Sequence, residues 1–190
     1  WLELSVTTDL QPTRQLMLGA EMFERDNQLP LDAYLSGQID ALGLDSQARL
    51  WPNYNTDYKP LVDFAKNHHL PFVATNVPRR YAALVAREGF GALDTLSAAE
   101  KAWMAPLPIP YDSELPCYRN MLTMMPGHGG PNLPKAQALK DATMAWSILQ
   151  AYRPGLLFLH FNGSYHSDHH EGILWYLQKG NPSLRFLTLS

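Results

Sequence analysis

The chain has 190 residues, is 46% hydrophobic and carries a formal net charge of −3. That is enough for one packed domain, and without a basic run it excludes an electrostatic nucleic-acid groove. Cys117 is the only cysteine, so no intrachain disulfide and no thiolate cluster can form. No apolar run approaches the roughly twenty residues of a membrane span.

Trp1–Asp9 reads as the tail of a helix, and the start at Trp1 is read as a truncated view with any targeting signal lying upstream. Arg14–Phe23 is a near-continuous apolar run, as expected of a strand buried on both faces. Pro30–Gln38 and Lys59–His68 read as helices, the second with Pro60 in its first turn. Leu70–Thr75 is a second buried strand. Pro78 opens a helix that closes at Gly89. Ser97 and Glu100 form a capping box. Tyr118–Met125 reads as a short helix, 126–134 as a loop, and Pro134–Tyr152 as the longest helix. Leu156–Phe161 is a third strand, Gly172–Gln178 a helix, and Leu184–Leu189 a fourth strand.

Strands alternating with helices predict an α/β fold, a mainly parallel sheet flanked by helices. The segment from about 93 to 134 contributes no strand and is expected to be a helical insertion or lid within a single domain.

Ligands of open parallel sheets bind beyond the carboxyl ends of the strands. Three such ends carry polar groups here: Glu21–Arg25, Thr75–Arg80, and the loop His160–Glu171. Glu21 lies among apolar neighbours, so its carboxylate must be paired, coordinated or protonated. Arg79 or Arg80 is one candidate partner; a catalytic or ligand role is the other. His166 follows a buried strand and a Gly-Ser turn, which puts it at the sheet edge. His160 reads as a hydrogen-bonded core histidine, and His169 and His170 as solvated. Asp141 shares a stripe with Met144, Ala145 and Ile148, and either orients a histidine or faces water at the stripe's edge. Tyr111, Tyr118, Met121, Met124, Met125 and His128 crowd the insertion. Tyr, Met and His can all ligate haem iron, although a methionine-rich stripe is more often core.

The stretches LGAEMFERDNQ (18–28), ATNVPRRYA (74–82), LSAAEK (96–101), AQALKDATMA (136–145) and NGSYHSDHHEGI (162–173) resemble the ChaN-like iron-regulated haem-binding lipoproteins. These belong to the wider clan of erythromycin esterases (EreA-like) and TraB/Tiki-type proteins. The resemblance implies that Glu21, Asp141 and His166 line a polar pocket, with Asn76 and Arg79 on an Asn-x-Pro-Arg turn and Asn162 beside them. It implies haem as cofactor, with Tyr118, Met124, His128 and Tyr165 as candidate haem residues. A homodimer enclosing haem and a lipid-anchored place in the bacterial cell envelope (periplasm or outer membrane) are implied as well. The family's Gly-Glu-x-His motif is absent from this chain.

Two functions are therefore expected. One is haem binding in iron acquisition or storage. The alternative is an esterase-like or protease-like hydrolase, with Glu21 and His166 as acid and base or as holders of a divalent metal. Whether the chain is an enzyme stays open at this point.

Overall fold

Three parallel strands, β1 (Gln15–Glu24), β2 (Phe72–Asn76) and β3 (Leu156–Phe161), form one sheet in the order β2-β1-β3. The structure is a computed structural model that describes residues 15–124 and 130–189. The expected Trp1–Asp9 helix, Met125 and His128 lie outside the described residues.

Both crossovers are long and helical, the usual way to join parallel strands. Between β1 and β2 run α1 (Gln28–Leu35), α2 (Ala41–Gln47) and α3 (Lys59–Asn67). Between β2 and β3 run α4 (Arg79–Glu88), α5 (Ala98–Lys101), α6 (Pro116–Met124) and α7 (Leu133–Ala151), and α8 (Ile173–Gly180) follows β3. The sheet thus has a core on each face. Leu18, Ala20, Phe72 and Ala74 meet Leu31, Leu44 and Val62 of α1–α3 on one side. Val77, Tyr81 and Val85 meet Leu139, Met144, Ile148 and Ile173 on the other. Buried almost all round, α7 is the central helix of that second layer.

Local signals explain the ends of several elements. Gly89 ends α4 at φ 78°, and Ser97 and Glu100 form the expected capping box on α5. Asp40 accepts the Gly43 N–H at 2.8 Å and starts α2, a helix the periodicity did not reveal. Gln28 does an unusual job. Its side-chain amide donates to Phe72 O at 2.9 Å and accepts from Ala74 N at 2.7 Å, so it completes the outer edge of β2 as a neighbouring strand would.

One expected element is corrected. Leu184–Leu189 forms no strand. Leu184 and Phe186 lean on the α7–α8 core, while Leu187 and Leu189 are exposed. An apolar stretch makes a strand only where a ladder partner exists, and among the described residues none is hydrogen-bonded to this segment. Between 93 and 134 the described residues form no strand. Met104, Ile109, Tyr118 and Met121 of this stretch are buried in the α7-side core.

Candidate functional site

The pairing of β1 with β2 shifts register between Ala20 and Glu24. The irregularity sits where the strand's carboxyl end reaches Glu21, and such bulges re-aim side chains. Gly19 makes room on the same face: a Cβ there would lie 2.8 Å from the Phe158 ring.

Glu21 is only 8% exposed. Its Oε2 accepts the Gly163 N–H at 2.8 Å, and its Oε1 lies 3.2 Å from His166 Nε2. His166, on the turn Ser164–His166, turns Nδ1 to Oδ1 of Asp141. Asp141 is fully buried on α7, and its Oδ2 accepts the Tyr118 hydroxyl at 2.8 Å. The amide nitrogen of Gln137, one helical turn before Asp141, lies 3.0 Å from His166 Nδ1. A continuous chain, Glu21–His166–Asp141–Tyr118, therefore joins β1, the loop after β3, α7 and α6.

Burial alone would lower the pKa of His166. The hydrogen bonds and negative charges of Asp141 and Glu21 outweigh it and hold the imidazole up at about 9. Burial would raise Glu21, but the His166 contact and the Gly163 N–H keep it below the ordinary carboxylate value. Asp141 is raised by burial, against the pull of His166 and Tyr118. Near neutrality Glu21 is therefore ionised and His166 carries its proton. Burial raises the Tyr118 phenol far above its usual range, so it stays protonated and donates.

The loop after β3 is tied down at several points. His160 has its pKa pushed down to about 4 by burial, so its ring is neutral. Its Nδ1 faces Asn162 Oδ1 at 2.9 Å and its Nε2 faces Thr75 Oγ1 at 2.8 Å. Asn162 also donates to Gly163 O and Ser167 Oγ. Further on, Glu171 accepts the Cys117 N–H at 2.6 Å, and the Tyr165 hydroxyl donates to the Cys117 carbonyl at 3.0 Å. Both backbone groups of Cys117, at the start of α6, are thus held by the histidine loop. Gly172 sits at φ 54°, and a Cβ there would strike the His166 carbonyl. His169 and His170 are exposed and also hold positive φ, 57° and 60°, a costly backbone for non-glycine residues.

The structure thus brings Glu21, His166, Asp141 and Tyr118 into direct contact. Arg79 and Arg80 do not pair with Glu21: Arg79 is exposed at the start of α4 and Arg80 binds Asp26 at 2.6 Å. Asn76 is buried at the end of β2 and donates to the Glu21 carbonyl at 3.0 Å. Tyr165 is 36% exposed. Met124 is the last residue of α6, and its side chain, like all of His128, lies outside what is described. Sequence reasoning missed Gln137, although it falls on the Asp141 stripe four residues earlier. It also treated the histidine loop and the Tyr/Met-rich segment as separate regions, whereas Cys117 and Tyr118 join them. Among the described residues, no group of three or more His, Cys, Asp or Glu side chains is placed to hold a metal ion.

A family model described as haem-binding uptake, Tiki superfamily, ChaN matches residues 1–177. Among solved structures, the fold is similar to ChaN of Campylobacter jejuni, described as showing cofacial heme binding, with a TM-score of 0.58 at 18% identity. That match covers 87% of this chain and 63% of the other, so this chain spans less than two thirds of that protein's length. No curated protein matches the chain.

Proposed function

We propose that this protein binds haem, and the premise is its family: the chain belongs to the haem-binding uptake, ChaN family of the Tiki superfamily. Haem is a flat, largely apolar ring that needs an axial donor and apolar cover. Among the described residues, the seam between α6 and the histidine loop offers a donor for such a ligand. Tyr165 presents a part-exposed phenol there, resting on the Cys117 carbonyl, and α6 carries the exposed Leu122. The observation that carries the assignment is the contrast between the two tyrosines. Tyr118 is fully buried and committed to Asp141, whereas Tyr165 is at the surface. Tyr165 is therefore the axial ligand of this reading, with Met124 and His128 as the other candidates. Burial raises the Tyr165 pKa, with Cys117 and Glu171 adding to it, so without haem the phenol is neutral.

In this role the protein sits in the bacterial cell envelope, periplasmic or on the outer membrane, held by a lipid anchor outside this chain, and takes up or stores haem for iron acquisition. A second copy covers the exposed haem face, because one protein surface shields only one side of the ring. Titration of the purified chain with haemin tests the core of the proposal: a saturable Soret shift is expected at stoichiometric haemin, and its absence overturns haem binding. Tyr165→Phe should weaken or change that band, while Tyr118→Phe should leave it in place. An unchanged band in Tyr165→Phe removes Tyr165 as ligand and turns the search to Met124 and His128. Sedimentation with and without haemin reads the dimer.

The hydrolase alternative finds no support in the site. A general base needs an accessible lone pair. Both nitrogens of His166 are taken, by Asp141 and Glu21, and its side chain is only 7% exposed.

A further inference from the structure

Arg25 follows β1 directly and is half-buried. Its guanidinium stacks over the Trp146 ring, 4.4 Å from the centroid, and its Nη1 donates to Ser147 Oγ at 2.8 Å. Among the described residues it has no carboxylate partner, although Glu24 and Asp26 flank it in the chain. Those acids are taken by Arg49 and Arg80. Arg25 Nε is buried with no acceptor.

Among the described residues, two further buried side-chain atoms also lack partners, Asn27 Nδ2 and Asn76 Oδ1. All three belong to residues at the carboxyl ends of β1 and β2, where open parallel sheets bind ligands. Asn76 donates to the carbonyl of Glu21, a residue of the buried chain described above, and Ser147 Oγ, which accepts from Arg25, also reaches the carbonyl of Thr75, the residue before Asn76, at 3.0 Å. A half-buried cation without a counter-charge is costly, and each buried donor without an acceptor adds to that cost. Two of the three orphaned atoms are donors, which is what an anion satisfies.

We propose that Arg25 anchors an anion site at the carboxyl end of β1 and β2, and that its ligand group is a carboxylate. The geometry favours that class. With Nη1 occupied by Ser147, the edge formed by Nε and Nη2 remains, and a planar carboxylate matches it with two parallel hydrogen bonds. One carboxylate also balances the charge of Arg25, which has no carboxylate partner among the described residues. Its source is either a haem propionate, which rests on the haem reading, or the carboxylate of a small free acid, which does not.

The stacked Trp146 is the reporter. Acetate is titrated into the haem-free chain against chloride at equal ionic strength, and tryptophan emission is followed. A saturable change is expected that disappears in Arg25→Gln and in Trp146→Phe and is weakened in Arg25→Lys, whose point charge cannot form the paired hydrogen bonds. In parallel, binding of haemin is compared with that of its dimethyl ester. Where the propionate is the source, wild type prefers haemin by about tenfold or more, and Arg25→Gln abolishes the preference. An acetate response with equal binding of haemin and ester, or with no haem binding at all, assigns a free carboxylate and leaves the site standing. Thermal melts establish that Arg25→Gln is folded. No acetate response together with no preference for haemin over its ester overturns the proposal, as do responses that persist in folded Arg25→Gln.

Discussion

His166 Nε2 lies 3.2 Å from Glu21 Oε1, a contact that closes the loop after β3 onto the bulged end of β1. With Asp141 on its other nitrogen, the imidazole is a clamp between two buried carboxylates. Removing one member of such a group leaves uncompensated charge, typically at about 3–5 kcal/mol.

Stability should therefore have a defined pH window. The His166 pKa is raised to about 9, so its contribution is complete below the ordinary histidine value and is lost as pH rises through about 9. Glu21 is lowered, so its contribution is present above the ordinary glutamate value and is lost as pH falls below it. Urea denaturation from pH 4 to 10 should show a plateau falling at both ends. In His166→Ala the plateau drops by about 3 kcal/mol and the alkaline fall disappears. An alkaline limb unchanged in that variant would show that another group titrates.

Tyr118→Phe deletes one hydrogen bond to a buried carboxylate without opening a large cavity. The expected loss is about 1–3 kcal/mol. The alkaline limb should also move, because Asp141 then keeps His166 as its side-chain hydrogen-bond partner without the phenol. A variant as stable as wild type would mean that water replaces the phenol.

Gln28→Ala uncovers Phe72 O and Ala74 N on the outer edge of β2. A cost of about 1–2 kcal/mol is expected. The Ala74 amide should exchange with deuterium many times faster, while amides in α7 keep their protection. Unchanged exchange at Ala74 would rule out the side chain as the strand's cap.

Gly172→Ala combines a left-handed backbone with a collision against the His166 carbonyl. It should cost at least as much as a strained backbone position, about 1–3 kcal/mol. Because Gly172 borders the loop that carries Tyr165, haemin binding should weaken as well. Gly180→Ala meets only the Leu149 side chain and is the control. Equal effects of the two substitutions would remove the special role of Gly172.

Much of this protein can be read from local pattern. The apolar runs of β1, β2 and β3, the stop at Gly89 and the capping box at Ser97 and Glu100 follow from near-neighbour chemistry, and so the alternating α/β architecture does too. Glu21, Asp141 and His166 stand out because a charged or titratable group among apolar neighbours must find a partner. Which partner it finds is not a local property. Tertiary packing gave Glu21 to His166 instead of Arg79 or Arg80, sent Tyr118 inward to Asp141, and left Tyr165 at the surface. It also left Leu184–Leu189 outside the sheet of the described residues despite its apolar content, because a strand depends on a neighbour that its own residues cannot supply. The sequence determined which residues needed company, since burial and propensity act over a few neighbours; only the tertiary structure decided the company, since hydrogen bonds and charge pairs between β1, α6, α7 and the β3 loop exist only once those distant segments are packed together.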